Sequence, residues 1–196
     1  MKNMSQYING NLFKLITKAS RQLNYDTYVV GGYVRDLLLE RPSNDIDVVT
    51  VGSGIELARK TAALIDERKE VKYYGRFGTA MIRMKDKEIE FVGARKESYD
   101  PSSRKPFVEN GTLEDDQNRR DFTINAMAIS LNEDTFGTLV DPFNGVQDLE
   151  DKIIRTPLNP DVTYSDDPLR MMRAIRFATQ LDFTIEKESF EAIKRN

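Results

Sequence analysis

An α+β architecture follows from two patterns in this chain of 196 residues. Between Tyr28 and Ile65, short extended runs alternate with helical ones in the order β, α, β, α, and a further pair of extended runs follows Thr79. From Ser165 onward the periodicity is helical.

Residues 7–24 carry Ile8, Leu12, Ile16 and Leu23 at roughly helical spacing and read as a leading amphipathic helix. Tyr28-Val29-Val30 is a short buried strand stopped by Gly31-Gly32, and residues 34–39 form a helix whose start aims amides at the gap. Asp45-Ile46-Asp47 opens a strand that ends near Val51. Gly52-Ser53-Gly54 turns the chain, and residues 55–65 form a helix with Leu57, Ala58 and Leu64 inward. Residues 73–77, 79–84 and 88–92 read as strands, the last two joined in a hairpin near Lys85-Asp86-Lys87. Between 97 and 111 the pattern dissolves around Pro101, Ser102, Ser103, Pro106 and Asn110, which predicts a loop. Glu114-Asp115-Asp116 precede an expected helix over 119–129, with Phe122, Asn125 and Ile129 on one stripe. Leu139-Val140 ends a strand, residues 148–152 make a helical turn, and Pro157 and Pro160 mark a boundary. Helices over 165–180 and 186–194 close the chain.

Hydrophobic residues make up 39% of the sequence, enough for a real core. No run approaches the roughly 18–20 apolar residues that span a bilayer, and Met1-Lys2-Asn3-Met4-Ser5 has no signal-like apolar segment, so a cytoplasmic protein without membrane contact is expected. Cysteine, histidine and tryptophan are absent. That excludes disulfides, thiolate nucleophiles, Cys/His zinc sites and imidazole acid–base chemistry, leaving carboxylates, cations and metal. The formal net charge of -3 argues against a nucleic-acid-coating protein, although a local basic groove can still bind RNA phosphates.

Asp45 and Asp47 are two apart in a strand, so both project to one face while Ile46 and Val48 face the core. By itself the pair reads first as a solvated loop or strand edge. Sharing hard divalent cations relieves its repulsion, and Mg²⁺ favours a few carboxylates completed by phosphate oxygens and waters. Glu90, between Ile89 and Phe91, is either on an exposed strand face or the third acid of such a cluster. Asn125 is either a packing and capping residue or a buried amide needing partners. Arg170, Arg173 and Arg176 recur at intervals of three and drift around one side of the last long helix, with Met171, Met172, Ile175 and Ala178 as its apolar face. Asp167 and Arg170 make either an ordinary ion pair or a template for a base: carboxylate accepting from an exocyclic amine, guanidinium donating to ring acceptors. Adenine and cytosine match that template; guanine and uracil do not.

Three ordered segments carry a family resemblance: Gly31-Gly32-Tyr33-Val34-Arg35-Asp36 followed by Asp45-Ile46-Asp47; Arg119-Arg120-Asp121-Phe122-Thr123-Ile124-Asn125-Ala126; and Asp166-Asp167-Pro168-Leu169-Arg170-Met171-Met172-Arg173-Ala174-Ile175-Arg176-Phe177-Ala178. Together they resemble the bacterial CCA-adding tRNA nucleotidyltransferases and their poly(A) polymerase relatives (class II). The resemblance implies a DNA polymerase beta-like head with a mixed sheet over residues 1–155, then the start of an all-helical neck over 156–196. It implies a two-metal Mg²⁺ enzyme that adds C and A to the tRNA 3′ end from CTP and ATP, releasing pyrophosphate. Asp45 and Asp47 match the metal-binding pair, Gly32, Arg35 and Arg120 match positions near the nucleotide, Asp167 and Arg170 match the base-reading pair, and Arg173 and Arg176 match further nucleotide contacts. Glu90 matches only the superfamily pattern of an acid between apolar residues, as a candidate third catalytic acid. Asp166 stands where relatives have Glu. Relatives continue into further neck, body and tail regions that grip tRNA, so the chain is expected to be a fragment that binds tRNA weakly. A poly(A) polymerase, an A-adding or CC-adding specialist, and a non-catalytic nucleotide- or RNA-binding module are the alternatives; residues 97–107 favour the CCA-adding members.

Overall fold

The computed structural model describes residues 3–74, 78–100 and 103–196. Seven strands form one mixed sheet: β1 (Thr27–Val30), β2 (Asp45–Thr50), β3 (Lys72–Tyr74), β4 (Thr79–Arg83), β5 (Glu88–Gly93), β8 (Ala128–Ser130) and β9 (Leu139–Val140). Their order is β3-β4-β5-β2-β1-β8-β9. Neighbours are antiparallel except β2 and β5, which run parallel.

Strand alternation sorts the sheet into two faces. Ile46, Val48, Ala80, Ile82, Ile89 and Phe91 belong to the main core, together with Phe13 and Ile16 of α1 (Asn11–Leu23) and Leu57 and Ala58 of α3 (Gly54–Ile65). Each fully buried Ile or Phe there is worth about 1.5–3 kcal/mol over leaving it exposed. The opposite face carries a smaller apolar cluster, Val30, Val49, Ala94 and Ala128. Asp45 and Asp47 lie on that second face, in line with Val49.

Beyond the sheet, β10 (Ile153–Ile154) pairs in parallel with β11 (Thr184–Ile185). α7 (Leu169–Leu181) packs against this pair, and α6 (Pro160–Asp166) packs against α7 and α8 (Lys187–Arg195). Ala174, Phe177 and Leu181 of α7 join the main core. Among the described residues, no helix is long and apolar enough to cross a membrane.

Four expectations need correction. The segment read as a loop over 97–111 is mostly a two-stranded antiparallel ribbon, β6 (Arg95–Asp100) with β7 (Ser103–Asn110), broken by a register shift between Ser98 and Asp100. A separate two-stranded ribbon has only edge strands, where a proline such as Pro106 is tolerated. The helix read over 119–129 is not one helix. α4 (Leu113–Asn118) ends before it, Phe122 is extended, Thr123–Asn125 make a single 3-10 turn, and β8 follows. Every residue from Asp121 to Ser130 is buried, so no exposed face exists to betray the period. The helix read from Ser165 begins only at Leu169, because Pro168 pushes Asp167 into extended backbone at φ -144°, ψ 98°. The inward stripe of α7 is Arg170, Ala174, Phe177 and Leu181, whereas Met172 and Ile175 of the expected apolar face are exposed. Arg170 can turn inward because its guanidinium finds carbonyl acceptors there. The strand read over 73–77 is seen as β3; residues 75–77 lie outside the described residues.

Candidate active site

Strand register assembles the acids. Asp47 lies beside Glu90 and Asp45 beside Glu88 on the parallel β2–β5 pair, while Val30 of β1 faces Asp47 from the other side. Adjacent strands lie about 4.8 Å apart, so these carboxylates are crowded along one face. Burial raises the Asp47 carboxyl above its ordinary value; Arg120 opposes the rise, and Asp45 and Asp116 add to it. Glu90 is raised by burial first and by Asp47 second, against the pull of Arg95. Among the described residues no three Asp, Glu, His or Cys side chains gather tightly enough to hold a metal ion by themselves.

Gly31 brings a guanidinium to the acids. It sits between β1 and α2 (Gly32–Leu38) at φ +73°, a left-handed conformation open to glycine. A Cβ built there would lie 2.9 Å from Arg120 Nη1 and 3.5 Å from Asp47 Oδ2. The bare glycine therefore leaves room for Arg120 and Asp47 to approach one another over the turn. Gly32 itself lies beside Arg35.

Arg120 is held from behind by Asp116, whose residue is fully buried. Its Nε and Nη2 donate to Asp116 Oδ2 at 3.0 and 2.7 Å, while Asp116 Oδ1 takes both Nε and Nη2 of Arg119. The spacing makes this possible, because Asp116, inside α4, is three and four residues before the two arginines that follow that helix, whose start is fixed by the Thr112–Asp115 capping box. Burial pushes the Asp116 carboxyl up, but the two guanidiniums outweigh it and the net shift is downward. Arg119 continues to Glu97 of β6 at 3.4 Å, tying the ribbon to the same hub.

Asn125 is the second junction. Its backbone oxygen accepts from Arg120 Nη1 at 3.2 Å, and its side-chain oxygen accepts from Arg35 Nη1 at 2.8 Å. Its amide donates to Asp121 Oδ1 at 3.1 Å, and Asp121 Oδ2 accepts from Arg173 Nε at 2.6 Å. A continuous polar chain thus joins the acid face to α2 and α7. Arg35, Arg173 and Arg176 gather around the Phe177 ring, their guanidinium carbons 5.1, 5.3 and 4.6 Å from its centroid.

The ten residues singled out in the sequence are distributed unevenly. Asp45, Asp47, Glu90 and Arg120 meet around the sheet face, and Arg35, Arg173 and Arg176 form the basic cluster beside it. Arg170 is buried and donates to the carbonyl of Arg119 at 2.8 Å and of Thr163 at 3.4 Å; Asp167, half-buried, receives the Leu169 N–H at 3.1 Å. Sequence reasoning gave no site role to Asp121 or Phe177, read Gly31 only as part of the glycine turn, and read Asp116 only as an acid ahead of a helix. The three- and four-residue spacing of Asp116 from the arginine pair was the available signal.

Comparison with known proteins identifies the family of this fold. The family model for the poly A polymerase head domain matches residues 27–155. An A-adding tRNA nucleotidyltransferase of Aquifex aeolicus is 44% identical over 168 residues, covering 86% of this chain and 20% of that protein. A CCA-adding enzyme of Enterococcus faecalis is 38% identical over 190 residues, covering 93% of this chain and 44% of that protein. The solved structure of Thermotoga maritima CCA-adding enzyme complexed with tRNA superposes with a TM-score of 0.83 at 36% identity, over 99% of this chain and 45% of that one. The chain thus spans less than half the length of each of these relatives. With a mixed α+β head followed by a helical region and a family model covering most of its length, the chain belongs to the poly A polymerase head domain family.

Proposed function

We propose that the chain is the catalytic part of a template-independent RNA nucleotidyltransferase that adds C and A to the tRNA 3′ end from CTP and ATP with release of pyrophosphate. The observation that carries this reading is the junction at Asn125, which locks an acid face and an arginine cluster into one frame. Residues 1–155 form the nucleotidyltransferase head in this proposal and 156–196 the start of the helical neck, in a cytoplasmic protein. The T. maritima relative is a complex with tRNA, which supports the choice of acceptor.

The acid face fits a divalent cation. Asp45 and Asp47 project together, and the burial and mutual repulsion that raise Asp47 are what a cation would relieve. Mg²⁺ is suited by a few carboxylates completed by phosphate oxygens and waters, and Asp45 and Asp47 would supply the carboxylates. When bound by Asp45 and Asp47, with Glu90 alongside, Mg²⁺ supplies Lewis-acid activation of the attacking 3′-hydroxyl and charge stabilisation of the departing pyrophosphate. Arg35, Arg173 and Arg176 orient and neutralise the triphosphate, and Arg120, fixed by Asp116, holds its charge next to Asp47. Asp167 and Arg170 are the base-reading pair in this proposal, and Arg170, buried and donating to the Arg119 and Thr163 carbonyls, joins Asp167 at a base only by leaving those bonds. Gly32 lets the nucleotide approach the backbone at the start of α2.

Incubation with tRNA lacking its 3′ CCA, with CTP and ATP together and singly, tests the proposal. Extension by C, C and A is expected, and Asp45→Ala and Asp47→Ala should abolish it; an Asp45→Ala chain that extends tRNA at the parent rate overturns the assignment. A second reading is A addition alone, favoured by the identity with the A. aeolicus A-adding relative. Extension only of tRNA already ending in CC would select it.

A further inference from the structure

We propose that Phe177 is a positioning residue whose ring seats three arginines, Arg35, Arg173 and Arg176, and so creates a preorganised site for a polyphosphate. The idea rests on the nucleotidyltransferase reading for its ligand, but the geometry stands apart from it. Three like charges repel, yet here their guanidinium carbons all lie within 5.3 Å of one ring centroid. Two of them come from α7 and the third from α2, far apart in sequence.

The ring is itself held in place. Phe177 is 7% exposed and meets Phe122 edge-on at 5.9 Å between centroids, with planes at 83°. Phe122 is fully buried in the main core. The ring therefore has a fixed plane, and its negative π-face attracts guanidinium charge where a purely aliphatic side chain would offer only contact area.

Carboxylates complete the arrangement unequally. Arg35 pairs with Asp36 at 2.8 Å and Arg173 with Asp121 at 2.6 Å, and Asn125 bridges Arg35 to Asp121. Among the described residues no carboxylate pairs with Arg176, which is exposed. Arg35 and Arg173 are thus pinned from both sides, by acids and by the ring, while Arg176 depends on the ring. The result is a cluster with uncompensated positive charge and restricted geometry, suited to a ligand with several closely spaced negative oxygens. A phosphate chain has that chemistry.

The test is calorimetric titration of the 196-residue chain with inorganic tripolyphosphate and with ATP, alongside nucleotide-addition kinetics, for the parent chain, Phe177→Leu and Phe177→Tyr. Leucine keeps an apolar contact for Phe122 but removes the π-face; tyrosine restores it. Phe177→Leu should weaken tripolyphosphate and ATP binding by about 5- to 30-fold, the scale of losing ring contacts to guanidinium groups. It should raise KM for the nucleotide more than it lowers kcat, and Phe177→Tyr should recover most of the loss. Thermal melting of both variants separates this from unfolding. Equal tripolyphosphate affinity in parent and Phe177→Leu overturns the proposal, as does a Tyr variant that binds no better than a well-folded Leu variant. A parent chain that binds tripolyphosphate through Phe177 but never extends tRNA upholds the ring's role and overturns the nucleotidyltransferase reading instead.

Discussion

Gly31→Ala offers a direct probe of how the site is assembled, because its cost divides into two parts that a mutant cycle can separate. The first is backbone strain: alanine held at φ +73° costs on the order of 1–3 kcal/mol. The second is the Cβ itself, only 2.9 Å from Arg120 Nη1. Arg120 cannot retreat freely, since Asp116 grips its Nε and Nη2, so the cheapest response is to give up the 3.2 Å hydrogen bond to the Asn125 carbonyl. For a charged donor that is part-exposed, this is worth about 1 kcal/mol. The total is about 2–4 kcal/mol, or a fall in Tm of roughly 5–15 °C for a chain of this size. Urea unfolding of the parent, Gly31→Ala, Arg120→Ala and the double variant measures each part. In the Arg120→Ala background only the strain should remain, leaving a coupling of about 1 kcal/mol. A Gly31→Ala cost below about 0.5 kcal/mol, or the same cost with and without Arg120, would refute the account of the turn.

Other perturbations follow from the same geometry. Asp116→Asn leaves two part-buried guanidiniums without their shared carboxylate and should cost about 3 kcal/mol at pH 7 by denaturant unfolding. Because the folded state lowers the Asp116 carboxyl, its stabilisation is present above the ordinary value of 3.8 and is lost as pH falls through the lower folded value. Asp116→Asn should accordingly flatten the acid limb of the stability curve measured below pH 4. Asp47→Asn should stabilise the metal-free chain by about 0.5–2 kcal/mol while abolishing nucleotide addition, and added Mg²⁺ should raise the Tm of the parent but not of the variant. Burial pushes the Tyr164 phenol up to about 12, so its stabilising contribution is complete below the unfolded value near 10 and falls as pH rises from there to 12. Ultraviolet absorbance titration should show Tyr164 ionising with that alkaline unfolding, in addition to Tyr25, Tyr28 and Tyr33, which are also raised, and Tyr164→Phe should reduce the amplitude of the late step by one tyrosine.

How legible the molecule was depended on whether burial left a pattern in the residues. Asp45-Ile46-Asp47 was readable because β2 is covered on one face and more open on the other, so polarity alternates with geometry. The stretch from Asp121 to Ser130 is buried on all sides, and its sequence cannot distinguish a 3-10 turn and strand from a helix. Residues 97–111 failed for the opposite reason: a separate ribbon containing Pro106 lacks a continuous apolar stripe. The break at Asp167-Pro168 was available in the sequence, since a residue before proline avoids helical backbone, but the helical run on both sides masked it. In α7 the arginine spacing was visible while the direction it faced was not, because hydrophobicity alone sent Met172 inward and Arg170 outward, the reverse of the structure. The junction at Asn125 joins segments distant in sequence, and no local pattern encodes such a meeting.

The parallel pairing of β2 with β5 has a consequence for how the chain acquires its chemistry. The two strands are separated by α3, β3 and β4, so Asp47 gains Glu90 as a neighbour only after that whole crossover has closed. Productive pairing of strands across so long a crossover is slow compared with forming a hairpin or a helix. During synthesis, Asp45 and Asp47 emerge well before the strand that completes their face. A nascent or partly unfolded chain therefore presents two solvated aspartates with no cation-binding surface around them. The carboxylate face comes into being together with the sheet, and under the proposed Mg²⁺ role the onset of metal binding would report the moment β5 docks.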